Sequence, residues 1–183
     1  MSFARESLIR VANAAGRGLS RVRIRGIPRL MSWSGPLVVG RGPHTVDTAR
    51  GVKLCIDGSD YFSCMMFYGR FGSDLLALLP SIVHRGESVI DVGAQLGYVT
   101  TQLAELVGPL GRVHSFEPDP NALTRLRAAV TANDHTWVEI FPIAASDAEG
   151  ELAFNVSPTL GWSTAVAGTH LSNLTTMPVR ASR

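Results

Sequence analysis

A chain of 183 residues is long enough for one domain with a real core and a short extra segment, and too short for two full domains. Hydrophobic residues at 45% and charged residues at 17% exclude a disordered or fibrous protein, and a net charge of +2 gives no ground for a nucleic-acid partner. No apolar run approaches the ~18 residues that a membrane span needs, so a soluble, cytoplasmic protein with no membrane span is expected.

The charge is unevenly placed. Residues 1–30 hold seven arginines (Arg5, Arg10, Arg17, Arg21, Arg23, Arg25 and Arg29) against one acid, Glu6. Such a segment suits a basic amphipathic helix on an anionic membrane or a targeting peptide. Its apolar face is thin, however, and the favoured expectation is a solvated helix whose Leu8, Ile9 and Val11 pack locally. A cluster around Gly26 and Pro28 ends it.

Residues 31–80 read as a lead-in of strands and one helix. In "VKLCIDGSDYFSC" two short alternating runs flank Asp57-Gly58, which predicts a hairpin turning there. Leu75, Leu76, Leu78 and Leu79 after Ser73 predict a short helix ending at Pro80. Cys55 and Cys64 show neither C-x-x-C spacing nor a disulfide framework, which fits a reducing compartment. The sequons at Asn155 and Asn173 read as chance matches.

Residues 81–183 form the third zone. Ser88 to Val92 is a short apolar run suited to a buried parallel strand. Val99, Leu103 and Leu106 recur at helical spacing until "GPLG" stops them, and "RVHSFE" is the next strand. Asp119 caps a helix with a Leu123, Leu126 and Val130 stripe, and "TWVEIFPI" is the third strand. The alternation predicts an α/β fold with a parallel, doubly wound, Rossmann-like sheet. "SDAEGELAFNVS" then reads as a turn and an antiparallel strand, and the chain finishes in what looks like the start of another strand.

Ligands of such sheets bind beyond the carboxyl ends of the strands. Gly93 and Gly97 allow a sharp turn and a close backbone approach, and the helix that follows offers free N–H groups. Glu117 stands 20 residues past Gly97, where an acid can take both hydroxyls of a ribose. A nucleoside-containing ligand is expected. Gln95 occupies the place of the middle glycine of G-x-G-x-x-G, and no P-loop is present, so nicotinamide or nucleotide phosphates are disfavoured. Asp91, two residues ahead of the loop, suits an ammonium group and would oppose a pyrophosphate.

"VIDVGAQLGYVTTQLAELVGPLGRVHSFEPDPNALTRLRAAV" followed by "IFPIAASDAEGELAF" resembles the S-adenosylmethionine-dependent methyltransferases of the FkbM type, over roughly residues 66 to 183. The resemblance implies a class I methyltransferase fold, S-adenosylmethionine as cofactor, and methyl transfer to a hydroxyl of a sugar, polyketide or similar small molecule. By the same resemblance Asp91, Gly93, Ala94 and Gly97 would surround the methionine part, with Gln95 and Tyr98 also among the cofactor-binding residues. Glu117 would hold the ribose, Pro118 would pack near the adenine, and Ser146 with Asp147 would read the adenine edge. Gln95 departs from the asparagine expected there. Trp162 in "GWST" is a candidate for the acceptor pocket, although core or loop packing is the commoner role for an aromatic.

The five histidines are scattered, so no metal site is expected, and no residue is singled out as a catalytic base. The resemblance also implies further core strands beyond Arg183, so the sequence reads as a domain whose C-terminal half is missing. The edge of strand 88–92 would then be unpaired and open to self-association or a partner. A catalytically silent binding module on the same half-fold is the alternative function.

Overall fold

The computed structural model describes residues 3–19, 26–157, 163 and 175–182. Helix α1 (Phe3–Leu19) packs through Ile9, and its Asn13 Nδ2 donates to the carbonyl of Asp47 at 2.8 Å. Of the three residues expected to pack locally only Ile9 does so, at 4% exposed, whereas Leu8 and Val11 are 44% and 67% exposed.

Where the sequence suggests a glycine and proline break followed by strands, the chain forms a second helix, α2 (Ile27–Val38). The reason is local: Gly26 takes a left-handed conformation as the N-cap, and Pro28 fits the first turn, whose N–H groups have no helical partner anyway. The same two residue types that interrupt a helix inside it can start one.

Strands β1 (Pro43–Asp47) and β2 (Lys53–Asp57) form an antiparallel hairpin that turns at residues 48–52, not at Asp57-Gly58. Gly51 at φ 86° carries that turn, and Thr48 Oγ1 donates to Val52 O at 2.8 Å. Asp57 instead ends β2, and Asp60 caps α3 (Tyr61–Phe67) by accepting the Ser63 N–H at 2.6 Å. Gly58 is small for a different reason than a turn: a Cβ there, or on Gly35 of α2, would overlap the other's carbonyl oxygen. Helix α4 (Ser73–Ile82) continues past Pro80, which lies in its last turn and lacks an N–H, and Val83 N–H still reaches Leu79 O at 2.9 Å.

Strand β3 (Ser88–Val92), helix α5 (Tyr98–Val107), strand β4 (Arg112–Phe116), helix α6 (Pro120–Ala132) and strand β5 (Val138–Phe141) follow as the sequence predicts. The three strands are parallel in the order β3-β4-β5, with Val92, Phe116 and Phe141 in register. This is a Rossmann-like α/β fold. Both crossovers step the same way, so connections of one hand put α5 and α6 on the same face. There Val113, Leu103, Ala104, Val107, Leu126 and Ala129 are buried. The α6 stripe is centred on Ala122, Leu126 and Ala129, with Leu123 and Val130 half-buried beside it.

The expectation that β3 is buried holds for one face only. Ile90 and Val92 are 66% and 63% exposed, and among the described residues nothing covers them. One apolar core runs without a break from Ile9 of α1 to Ala129 of α6. A second, smaller core lies in a separate sheet of order β6-β8-β7, formed by β6 (Ala144–Ala145), β7 (Gly150–Val156) and β8 (Thr175–Ser182). It contains Ala144, Phe154, Val156 and Val179. The predicted turn before Gly150 and the antiparallel strand are present, and the final apolar stretch is β8, paired antiparallel to β7.

Candidate functional site

The β3 to α5 connection is a tight loop tied to the next strand. Gly93 at φ 78° and Ala94 both donate to Phe116 O, at 2.9 and 3.1 Å, and Gly97 N–H closes the turn on Ala94 O at 2.9 Å. The two glycines serve different ends. Gly93 has open space where a Cβ would stand, whereas a Cβ on Gly97 would come 2.8 Å from Leu126 Cδ1, so Gly97 lets α5 and α6 close on each other. Gln95 also adopts a positive φ of 50°, which aims its N–H at Glu117 Oε2, 2.7 Å away.

Glu117, at the end of β4, is the centre of the site and only 4% exposed. Its Oε2 accepts from Gln95 and its Oε1 from the Asp119 N–H at 2.8 Å, so one carboxylate locks the glycine loop to the entrance of α6. Burial, more than those two bonds can offset, pushes its pKa up, with Asp119 and Asp91 adding to the rise. Each of its oxygens keeps a lone pair for a further donor. Asp119 caps α6 through the Asn121 N–H at 2.8 Å and receives the Ser163 hydroxyl on its other oxygen at 2.6 Å. Ser163 in turn accepts the Ser157 N–H at 3.0 Å, which ties the end of β7 to the rim.

These groups surround a cleft of about 330 Å³ at the carboxyl ends of the strands. Val92, Gly93 and Gln95 form one side, Phe116 to Asp119 with Ala122 the next, and Ile143, Ala144, Ala145, Phe154 and Ser163 the remainder. Among the described residues, the charged ones in this lining are Glu117 and Asp119, both acids, and none is basic. A cleft of this kind repels phosphate and favours hydroxyl donors and positive charge.

Of the residues predicted from the sequence, Gly93, Gln95, Glu117 and Pro118 line the cleft. Asp91, Ala94, Gly97 and Tyr98 stand behind it. Asp91 Oδ2 accepts the Thr100 hydroxyl at 2.6 Å, and burial raises its pKa. Ala94 and Tyr98 are buried, the latter edge-on to Phe71 at 6.0 Å. Ser146 and Asp147 lie outside the lining, with Ser146 Oγ donating to Asp147 Oδ1 at 3.3 Å and the Ser146 N–H bonded to Ser182 O. Trp162 lies outside the described residues. From the sequence, Asp119 is expected as a helix cap within the strand-end rim of residues 117 to 119 but without a ligand contact, and Ser163 and Phe154 are given no role. The proline after Asp119 signals the cap, but nothing local signals that its second oxygen accepts Ser163 at the rim.

The arrangement defines first a class: a Rossmann-like α/β protein with a glycine loop and an acid-rimmed cleft at the strand ends. No protein-family model matches the chain. A protein-L-isoaspartate O-methyltransferase from Triticum aestivum is 39% identical over 88 residues, 48% of this chain and 35% of the relative, so the chain spans about a third of that curated relative's length. Three solved structures overlap it in part. A protein described as an rRNA methylase from Clostridium thermocellum is 25% identical over 39% of each chain, with a TM-score of 0.39. Fibrillarin from Aeropyrum pernix with bound S-adenosyl-L-methionine is 25% identical over 39% of this chain and 31% of its own, with a TM-score of 0.31. An S-adenosylmethionine-dependent O-methyltransferase from Thermotoga maritima is 23% identical over 58% and 43%, with a TM-score of 0.37.

Proposed function

We propose that the cleft binds S-adenosylmethionine and that the chain carries the cofactor site of a methyltransferase. The observation that carries the reading is the pair Glu117 and Asp119 facing a glycine loop in a cleft where they are the charged groups among the described lining residues. The partial likeness to an O-methyltransferase supports it. The residues fit the group: the spare lone pairs of Glu117 suit ribose hydroxyls, while Pro118, Ala122, Ile143 and Phe154 offer apolar walls for a base. Gly93 leaves room beside the loop. Asp91, held by Thr100 behind the loop, adds negative potential toward a positively charged ligand without facing the cleft.

When bound, the cofactor supplies a methyl carbon on a positively charged sulfur. The chain's own part is to hold and align it, since an in-line displacement gains most from orientation. Gln95 and Asp119 N–H groups fix Glu117, and Glu117 fixes the loop. The finer reading follows the D-V-G-A, F-E-P and A-x-S-D motifs: an FkbM-type enzyme that methylates a hydroxyl of a sugar, polyketide or similar metabolite, with Ser146 and Asp147 near the adenine edge.

Calorimetry on the whole chain with S-adenosylmethionine and with its demethylated product tests this. Binding of both is expected, and Glu117→Ala should weaken it by about tenfold or more, because a charged acceptor is lost and two N–H groups lose their partner. A folded sample that binds neither compound overturns the assignment. A second reading, a silent binding module, is favoured by Val92 and Phe116, which line the cleft yet belong to the bare sheet face. Tight binding without methylation of any hydroxyl acceptor would select it.

A further inference from the structure

Helix α2 is apolar on two sides, and among the described residues only one of them has a partner. Met31, Gly35 and Val38 are buried against the core. On roughly the opposite side Leu30, Trp33 and Leu37, spaced i, i+3 and i+7, are 64%, 75% and 71% exposed. A helix that is apolar around its whole circumference is normally enclosed. Helix α1 leaves Leu8 and Val11 exposed and α4 leaves Leu75, Leu78 and Ile82, at 46% to 55%, but the α2 stripe is the more exposed and contains the tryptophan.

The charge around this stripe selects what covers it. Residues 1–42 contain eight of the 17 basic residues and one of the 15 acids, so the rest of the chain is net acidic. Arg10, Arg29 and Arg41 are exposed, and α2 itself contains an arginine and no acid. Apolar anchors that include a tryptophan, on a helix with an exposed arginine and no acid in a net-basic stretch of sequence, match the boundary between acyl chains and anionic headgroups. Nucleic acid would use the arginines but give no reason for an exposed Leu30, Trp33 and Leu37. Among the described residues no helix is long and apolar enough to cross a membrane, so the fit is to lying on the surface.

We infer that α2, in the net-basic stretch of residues 1–42 with its exposed Arg10, Arg29 and Arg41, is a docking surface for an anionic lipid bilayer. Trp33 and Leu37 enter the headgroup boundary, and the arginines hold the surface by charge. The acid-rimmed cleft is a separate feature, and the inference does not depend on what binds there.

Vesicle co-sedimentation of the whole chain tests it, with phosphatidylcholine alone against phosphatidylcholine containing phosphatidylglycerol. Binding to the anionic vesicles only, weakened by salt, is expected. The double variant Trp33→Ser and Leu37→Ser should lose about tenfold or more in partitioning, and Arg29→Gln with Arg41→Gln a smaller, salt-dependent factor. Both changes are at exposed positions, and circular dichroism checks that the fold survives. As an independent reading, brominated acyl chains should quench the wild type more than Trp33→Phe, which still binds. Three results overturn the inference: no binding of folded wild type to anionic vesicles, unchanged binding of the double variant, or an oligomeric state or RNA affinity that responds to the double variant while vesicle binding does not.

Discussion

The two faces of the parallel sheet are made from the same three strands and live in different surroundings. On one face Val113 is fully buried under α5 and α6. On the other, one residue along in each strand, Ile90 and Val92 are largely exposed, and Phe116 stacks on Phe141 at 4.7 Å. Alternation along a strand decides which residues share a face, but only the neighbouring layer decides whether that face is core. The cleft spans the two: Glu117 is locked into the covered side, while Val92 and Phe116 bring the bare side to its floor.

Side-chain truncation should sharpen this contrast most clearly. Leu126→Ala, at a side chain with no exposure against Gly97, should cost about 3 kcal/mol, whereas Ile90→Ala should stay within about 0.5 kcal/mol. Chemical denaturation of the two variants measures both. Equal losses would mean that the exposed face is covered in solution.

The glycine loop offers a finer contrast. Gly97→Ala meets both a positive φ of 90° and the Leu126 contact, and should lose about 2 kcal/mol. Gly93→Ala meets the φ penalty alone, about 1 kcal/mol, and its main effect should be a weaker cofactor affinity, since its Cβ would stand at the cleft. Thermal unfolding separates the first effect and calorimetry the second.

How much of this was legible depends on whether the signal was local. The strand and helix alternation from Ser88 to Phe141, the Asp119 cap and the glycine loop all rest on periodicity, capping and turn chemistry within a few residues, and each appears in the structure. The hairpin was misplaced because Asp57-Gly58 carries a turn's composition while Gly58 is needed for close approach to Gly35, a contact 23 positions away in sequence. Helix α2 was hidden by Gly26 and Pro28, which mark helix starts as well as breaks. The burial of β3 was misjudged because an apolar strand reads the same whether or not a layer covers its second face.

The smallest expected effect concerns the carboxylates on the covered side. Burial raises the pKa of Asp91 and of Glu117, so the folded chain holds more protons than the unfolded one between the ordinary carboxylate range and those raised values. Stability should therefore fall as pH rises through that window and level off above it. Asp91→Asn keeps an oxygen for the Thr100 hydroxyl and removes the buried charge, so its unfolding temperature should match or slightly exceed that of the wild type near neutrality. In acid, where Asp91 is already protonated, the two proteins should converge. A variant markedly less stable than wild type at neutral pH would show instead that the charge of Asp91 is compensated in the fold. The contrast between a quiet Thr100-bound acid behind the loop and a ligand-facing Glu117 would then have to be redrawn. Cofactor affinity should run the other way, weakening in acid as Glu117 takes up a proton and loses acceptor strength.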